Sequence, residues 1–407
     1  MIPLLRSLIA PFLSLILLTF GSGLCNTFIS VRLEMEGYDP EAIGTVTSAL
    51  YAGIFVGSLW IDRWIAKVGH IRSFVLSAAL ISALVLFQSL WINPYYWVSI
   101  RFLGGICTAG IFIVIESCLL MQASPAMRGI ILSIYLAVFY LALSAGQLLI
   151  HISDPLGSGP FYIVALLSAA SILPLTVTKI PQPVMKASPR LNTTQLFKTS
   201  PFGLTGVIVS WILLSAVYGL VPVYAKEVGL SVSEIGNLMA LLIFGGLSFQ
   251  WPLGHLADQT CRRKVLIAVS LLATISCCAI AFSGFSSPFW LFGLLFLFGG
   301  FSFTIYPLSM AHACEKVTED QIVSATGGFV LCYGAGAIAG PLMAPIAMDC
   351  LGANGLFYFL GAISLCLVFV GLKKQKIKSA IDITPKSLST CLDELSCDHK
   401  SAKSQQK

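Results

Sequence analysis

The sequence predicts an all-α membrane protein in which twelve transmembrane helices form two pseudo-symmetric six-helix bundles. Apolar residues make up 57% of the 407 residues and charged residues only 10%, against roughly 25% charged in soluble proteins. Apolar runs recur along almost the whole chain, each close to the roughly 20 residues that a helix needs to cross a bilayer. The second half also repeats the first. These observations exclude a water-soluble fold.

The apolar runs define the helices in order, six before a polar interruption and six after it. The first run is too long for a secretory signal and no clean cleavage site follows it, so we assign it to the first helix. The predicted domains are a six-helix bundle over 1–178, a linker over 179–201, a second bundle over 202–372 and an unstructured tail over 373–407. The predicted spans are 8–30, 42–62, 73–92, 96–118, 129–151, 160–178, 202–224, 233–253, 264–284, 289–312, 322–347 and 354–372.

The internal repeat begins with an offset of 192 residues and drifts by two or three residues further along. A unit of this length exceeds any solenoid repeat and indicates duplicated bundles that face each other across a functional interface. The matched glycines are Gly37 with Gly229, Gly44 with Gly236, Gly104 with Gly299, Gly105 with Gly300 and Gly146 with Gly340.

The positive charges predict the orientation. With the N-terminus in the cytoplasm, 21 of the 24 Lys and Arg residues lie on that side, Arg32 and Lys226 lie outside, and Arg101 lies within a span. Because cytoplasmic loops carry an excess of Lys and Arg, we expect both termini and the linker in the cytoplasm. The net charge of +6 then reflects topology and contact with anionic membrane lipid, and we expect no nucleic-acid partner.

The loop between the eighth and ninth spans contains the most specific motif. Residues 254–264 read G-H-L-A-D-Q-T-C-R-R-K, and residues 250–252 before them read Q-W-P. The loop is similar to the G-x-L-A-D-R-x-G-R-R-K signature of the major facilitator superfamily, and the preceding residues resemble its YcaD-like branch of bacterial carriers. The resemblance covers about residues 10–372. It implies the twelve-helix fold of that superfamily and a solute carrier in the bacterial inner membrane.

The charged residues of this motif are candidates for a gating latch. A carboxylate at a helix end, such as Asp258, can accept hydrogen bonds from nearby arginines and interact with a helix N-terminus. We therefore expect Asp258, Arg262 and Arg263 to connect two helices and hold one conformer. Charges that serve only topology and lipid contact are the alternative.

The corresponding loop of the first half departs from the signature. The repeat places Asp62 in the glycine position, Ala66 in the acidic position and Arg72 in register with Lys264. A second alignment treats Asp62 and Arg63 as the D-R pair of the signature. We prefer the first alignment and include Asp62 and Arg72 among the latch candidates.

The fourth span contains Arg101 and Glu116, 15 residues apart. They lie about 22 Å apart along a helix and within about 60° of one face. A charge that faces lipid costs at least about 2.5 kcal/mol at the bilayer centre, so we expect both to point into the bundle. Arg101 with Gly105 resembles the superfamily's R-x-x-x-G signature, whose arginine is implicated in proton coupling or substrate contact. A structural salt bridge for Arg101 and an interfacial position for Glu116 are the alternatives.

His312 stands beside the predicted counterpart of Glu116, at a similar depth in the tenth span. Because the unperturbed pKa of an imidazole is near 6.5, small changes in burial can change its charge. We expect Glu116 and His312 to form a proton-responsive pair where the halves meet. A histidine that is simply hydrogen-bonded is the alternative.

Polar residues within other spans are candidates for contact with a substrate. Asn26 and Tyr218 correspond in the repeat, and they offer an amide and a phenol. The resemblance implies that their helices line a central cavity. Gln147 and Gln250 are further candidates, with ordinary interhelical hydrogen bonding as the alternative.

The eleventh span contains a candidate hinge. Gly336 and Gly340 permit close packing, and Pro341 removes a backbone hydrogen bond. We therefore expect a bend or pivot at this place.

These features predict a secondary active transporter that moves a small organic solute by alternating access, with proton coupling as a symporter or antiporter. The sequence has no G-x-x-x-x-G-K-[ST] loop, no C-x-x-C pair and no histidine spacing suited to a metal. We therefore expect no enzyme activity, cofactor or metal. The expected partners are the solute, protons and lipid, and the expected state is a monomer. A transport-inactive metabolite sensor and a lipid flippase are the alternatives.

Overall fold

The structure is a computed structural model and describes residues 2–122, 127–152, 154–178, 200–283, 288–314 and 319–381. Within these residues, twelve helices are long and apolar enough to cross a membrane, which confirms the predicted fold class. Helix α6 has two segments, which meet at Ser171. The helices are α1 Ile2–Met35, α2 Pro40–Val68, α3 His70–Gln88, α4 Pro94–Gln122, α5 Arg128–Gln147, α6 Gly159–Ala170 and Ile172–Val177, α7 Pro201–Glu227, α8 Val232–Gln259, α9 Arg262–Phe282, α10 Pro288–Cys314, α11 Glu319–Leu351 and α12 Gly355–Ile381.

The predicted linker and tail fall largely outside the described residues, which omit 179–199 and everything after 381. The last helix continues to Ile381, so residues 373–381 are helical where an unstructured tail was predicted. Four of these nine residues are lysines, which have good helix propensity. The helix can therefore continue beyond its apolar segment.

The turns that follow α1 and α7 show the repeat directly. Gly37 and Gly229 have φ angles of 83° and 89°, in the left-handed region that favours glycine. In both turns the residue after the glycine donates its amide to the carbonyl five residues earlier, at 3.1 and 3.0 Å. The next helices begin at equivalent N-caps, Asp39 and Ser231, whose side chains accept a backbone amide.

Close glycine contacts define the register of the repeat in α4 and α10. A Cβ atom at Gly105 would collide with the carbonyl oxygen of Leu50 in α2, and one at Gly299 would collide with that of Leu242 in α8. Leu50 and Leu242 are themselves 192 residues apart. Gly105 therefore corresponds to Gly299, and the predicted match with Gly300 is wrong by one residue. Because each helix has two adjacent glycines, the sequence allows Gly105 to be aligned with either Gly299 or Gly300. The helix packing allows only the alignment with Gly299.

The two halves meet between α2 and α11 and between α5 and α8. Ser48 donates a hydrogen bond to the carbonyl of Ile338 at 2.9 Å, and Ser144 donates to the carbonyl of Ala240 at 2.7 Å. The repeat relates these contacts, since Ser48 corresponds to Ala240 and Ser144 to Ile338. We call this pseudo-symmetric contact the seam. It lies toward the closed end, the end of the bundle where α2 and α8 begin.

Two equivalent glycines let the helices of the seam approach closely. Gly44 of α2 lies against the carbonyl of Pro341 in α11, and Gly236 of α8 lies against the carbonyl of Gln147. Because Pro345 has no N–H, the Pro341 carbonyl also lacks its usual helical donor. A side chain at position 44 would collide with this oxygen, so the seam requires glycine there.

Candidate functional site: the central cavity

A cavity of about 700 Å³ lies between the two halves and is lined by both. It reaches from Gln88, the last residue of α3 near the closed end, to Cys314, the last residue of α10 at the opposite end. We call this opposite end the open end, because the lining residues Glu116 and Cys314 are exposed and partly exposed there. Pockets for small molecules occupy about 300–1,000 Å³, so this cavity can hold one organic solute. Its aromatic lining consists of Tyr51, Phe112, Tyr135, Phe139, Tyr140, Trp211, Tyr218, Tyr306 and Tyr333.

One face of α4 forms a wall of the cavity. Arg101, Gly104, Thr108, Phe112 and Glu116 follow one another at spacings of three or four residues, and all five border it. This spacing is that of a single helix face. Arg101 and Glu116 therefore face the cavity, and they carry the only formal charges among the described residues that line it.

Arg101 lies deep in the cavity with 8% of its surface exposed. Its Nη2 donates to Oδ1 of Asn26 at 2.8 Å, and its Nη1 lies 3.7 Å from Sγ of Cys25. Within the described residues, its Nε has no hydrogen-bond partner and no carboxylate pairs with it. Arg101 and Asn26 thus form one polar group with spare donors.

Glu116 lies toward the open end, where its side chain is exposed to the cavity. Tyr135, Tyr306 and Tyr333 lie close enough to interact with it electrostatically. They come from α5, α10 and α11, so both halves surround this carboxylate. A carboxylate in this position can exchange a proton with water that enters from the open end.

Trp211 is the centre of an aromatic cluster that joins the halves. Its ring lies 6.3 Å from Tyr51 of α2, 5.7 Å from Tyr306 and 5.1 Å from Tyr333, measured between centroids. None of these four aromatic residues is among the site residues predicted from the sequence. Trp211 precedes Tyr218 by two helical turns and shares its face of α7, so helix periodicity counted from Tyr218 could have found it.

The other predicted substrate contacts divide into two groups. Tyr218 and Gln250 line the cavity, as Asn26 does. Gln147 does not line it; this residue is 1% exposed and accepts a hydrogen bond from Thr27 at 2.5 Å. Gln147 therefore belongs to the packing of α5 against α1 and α8.

His312 is not among the residues that line the cavity, so the structure does not bring it together with Glu116 there. It is 8% exposed and packs against Phe202 at 5.6 Å between ring centroids. In the corrected register, Glu116 corresponds to Met310, which does line the cavity. His312 stands two residues further on, about 200° around the helix, and consequently faces another way.

The latch residues of the second half form contacts within that half. Asp258 accepts a hydrogen bond from Arg262 at 2.7 Å across the junction of α8 and α9. Arg263 donates to the carbonyl of Gly371 in α12 and lies 5.4 Å from the ring centroid of Phe202. These contacts fasten four helices of one half at the open end.

The first-half loop supports the preferred alignment of the motif. Gly69 and Cys261 each stand immediately before a helix, α3 and α9. In this alignment Ala66 occupies the acidic position and provides no carboxylate. Arg72 is exposed near the start of α3, and the side chain of Asp62 lies outside the described part of the chain.

The candidate hinge residues lie in a continuous helix, α11. Gly336 and Gly340 pack against the carbonyls of Ile208 and Ile212 in α7. Their small size therefore permits close packing of α11 against α7. The carbonyl of Pro341 contacts Gly44 in the seam. A pivot at this point stays a prediction.

Two six-helix halves around a shared cavity are the architecture of a class of membrane transporters. The sequence identifies the family within that class. The profile described as Major Facilitator Superfamily matches residues 1–230 and 203–386. The chain belongs to the Major Facilitator Superfamily.

Two bacterial relatives support the YcaD-like branch. The uncharacterized MFS-type transporter YcaD of Escherichia fergusonii is 32% identical over 365 residues, which cover 89% of this chain and 94% of that protein. An uncharacterized MFS-type transporter of Yersinia pestis is 31% identical over 362 residues, with coverage of 88% and 94%. The predicted resemblance to this branch is confirmed.

Solved structures agree in fold. A mutant of the nucleoside transporter NupG has a TM-score of 0.77 at 15% identity and covers 90% of this chain and 99% of its own. A bacterial homolog of the human lysosomal transporter Spinster, inward-facing and unoccupied, has a TM-score of 0.70 at 14% identity, with coverage of 90% and 94%. At these identities the comparison shows the fold alone.

Proposed function

We propose that this protein is a secondary active transporter that moves a small organic solute across the bacterial inner membrane by proton-coupled alternating access. The observation that carries the proposal is the cavity, which both halves line, which the seam closes at one end and which reaches the other end. The positive-inside rule assigns the open end to the cytoplasm, since it carries Lys67, Arg262 and Arg263. The conformer is then inward-facing.

Alternating access requires the seam to separate while the open end closes. Among the described residues, the seam has two side-chain hydrogen bonds and close glycine packing, in two contacts related by pseudo-symmetry, and His151 and Asn237 form a further hydrogen bond between the halves at 3.0 Å. Such a contact can break and re-form as the halves rock about a fixed site. We propose this rocking motion as the transport step.

Glu116 is the proposed proton carrier. It is the only carboxylate among the described residues that line the cavity, and it lies toward the open end, where solvent has access. Arg101 is proposed to act in coupling or solute contact, and His312 has no place in this mechanism because it lies outside the cavity lining.

Transport in proteoliposomes tests the function, with a solute selected by thermal shift, since ligands that bind the native state raise its apparent stability. We expect Glu116→Gln to abolish accumulation driven by a pH gradient while leaving solute exchange, because exchange needs no net proton movement. The matched control is Glu41→Gln, an exposed carboxylate in the first turn of α2.

Other outcomes contradict the proposal. Unchanged accumulation in Glu116→Gln removes this residue from proton coupling. A protein that binds solutes and transports none is a sensor, and one that moves labelled lipid is a flippase.

A further inference from the structure

Two buried nitrogen atoms near the closed end indicate what the cavity binds. Arg101 and Gln88 both line the cavity and are 8% and 1% exposed. Nε of Arg101 and Nε2 of Gln88 have no hydrogen-bond partner within the described part of the chain. Buried donors without acceptors are rare and destabilising. Nε1 of Trp211, another lining residue, is unpaired as well among the described residues. These donors on residues that line one cavity indicate that a bound solute supplies acceptor atoms.

The positive charge of Arg101 indicates which chemical group of the solute accepts its hydrogen bonds. A guanidinium has five N–H donors, and the recorded partners of this one, Asn26 and Cys25, are neutral groups. No carboxylate in the described residues pairs with Arg101. An ionised group inside a membrane protein normally faces a partner of opposite charge, and planar oxyanions match the geometry of a guanidinium. Among solute groups, an oxyanion therefore matches both the charge and the geometry of Arg101.

We propose, on the basis of the transport function proposed above, that the solute is an organic monoanion with an apolar or aromatic body. Its carboxylate or sulfonate binds Arg101, and a change of the Gln88 side-chain rotamer is proposed to bring a second donor to it. Its body lies along the aromatic lining that includes Tyr51, Trp211 and Tyr218. A cationic solute is disfavoured because it would repel Arg101 and leave both donors unpaired.

The two cavity charges also define the coupling. With Arg101 positive and Glu116 negative, the empty cavity is neutral overall. Binding the anion alone makes it negative, and protonating Glu116 alone makes it positive, whereas binding both restores neutrality. Because unbalanced charge is costly away from water, the empty and fully loaded forms change conformation most readily. The expected reaction is electroneutral cotransport of one anion with one proton.

The first test compares three probes that share one body: 3-phenylpropionate, 3-phenylpropanamide and 3-phenylpropylamine. Binding to the purified full chain is measured by quenching of tryptophan fluorescence and by thermal shift. We expect the carboxylate to bind roughly tenfold or more tightly than the amide, as for hydrogen bonds to a charged group. Arg101→Gln should remove this preference, Arg101→Lys should retain part of it, and Gln88→Leu should weaken it.

Lys67→Gln is the control variant, because it removes an exposed positive charge at the end of α2, away from the cavity lining. It should bind the three probes as the unmodified protein does. Size-exclusion chromatography verifies that each variant is folded. The inference is overturned if the amine binds as tightly as the carboxylate, if none of the probes binds, or if Arg101→Gln keeps the preference.

The second test uses 2-phenylethanesulfonate, which stays ionised and does not cross lipid by itself. We expect a pH gradient to drive its uptake into proteoliposomes, and an imposed membrane potential to leave the rate unchanged. Uptake that follows the potential contradicts electroneutral coupling. Carboxylate binding without transport of any solute refutes the proposed transport function but supports the anion subsite. Transport of amines alone supports the transport function but refutes the anion subsite.

Discussion

Adjacent glycines in α4 have opposite surroundings. Gly105 faces the carbonyl of Leu50 too closely for a Cβ atom, whereas a Cβ at Gly104 would have no heavy atom within 4 Å. We expect Gly105→Ala to lower the free energy of unfolding by about 1–3 kcal/mol, the usual cost of overpacking. Gly104→Ala should leave stability unchanged or slightly higher, because alanine favours helix.

Thermal unfolding of the detergent-solubilised protein measures both glycine variants. Equal melting temperatures for the two would mean that α2 and α4 are not packed at this distance. Gly299→Ala, at the equivalent position of α10, should reproduce the loss seen with Gly105→Ala.

Helix periodicity was sufficient to predict which residues of α4 point in the same direction. Arg101 and Glu116 share a face of one helix, and that face borders the cavity. His312 was linked to Glu116 through an alignment in error by one residue, and one residue rotates a helix position by about 100°. Gln88 could not be selected, because only the tertiary fold places the end of α3 and Arg101 in the lining of one cavity.

At the scale of elements, the glycines of the seam control how closely α2 and α11 approach. A side chain in place of Gly44 would collide with the Pro341 carbonyl. We expect Gly44→Val to favour conformers with a separated seam. Pulsed electron paramagnetic resonance between spin labels at positions 41 and 351, in a cysteine-free background, should show a shift to longer distances.

Gly293→Val is the matched control for the seam, because a Cβ atom at Gly293 of α10 would meet nothing within 4 Å. Its distance distribution should resemble that of the unmodified protein. A distribution for Gly44→Val that also stays unchanged would show that this contact does not hold the closed end.

The helices themselves were predictable because hydropathy is a local property, and all twelve spans were found. The extension of α12 to Ile381 was not predictable from hydropathy, because its charged residues favour a helix but are not apolar. The seam was also beyond prediction. It depends on carbonyl groups, which every residue has and no sequence pattern distinguishes.

At the scale of the whole molecule, the orientation can be tested with two native cysteines. Cys314 lines the cavity at the open end, and Cys350 is exposed near the end of α11 at the closed end. In a background that retains these two alone, a membrane-impermeant maleimide should modify Cys350 in right-side-out vesicles and Cys314 in inside-out vesicles. The reverse pattern would place the open end outside the cell.

The two halves contribute differently to the hydrogen bonds of the seam. Both hydroxyl donors, Ser48 and Ser144, belong to the first half, while Ile338 and Ala240 of the second half contribute only main-chain oxygens. We therefore expect that, after duplication, selection for these bonds acted on the first half. Among orthologues, hydroxyl residues should persist at positions 48 and 144, whereas positions 240 and 338 are free to drift among side chains of suitable size.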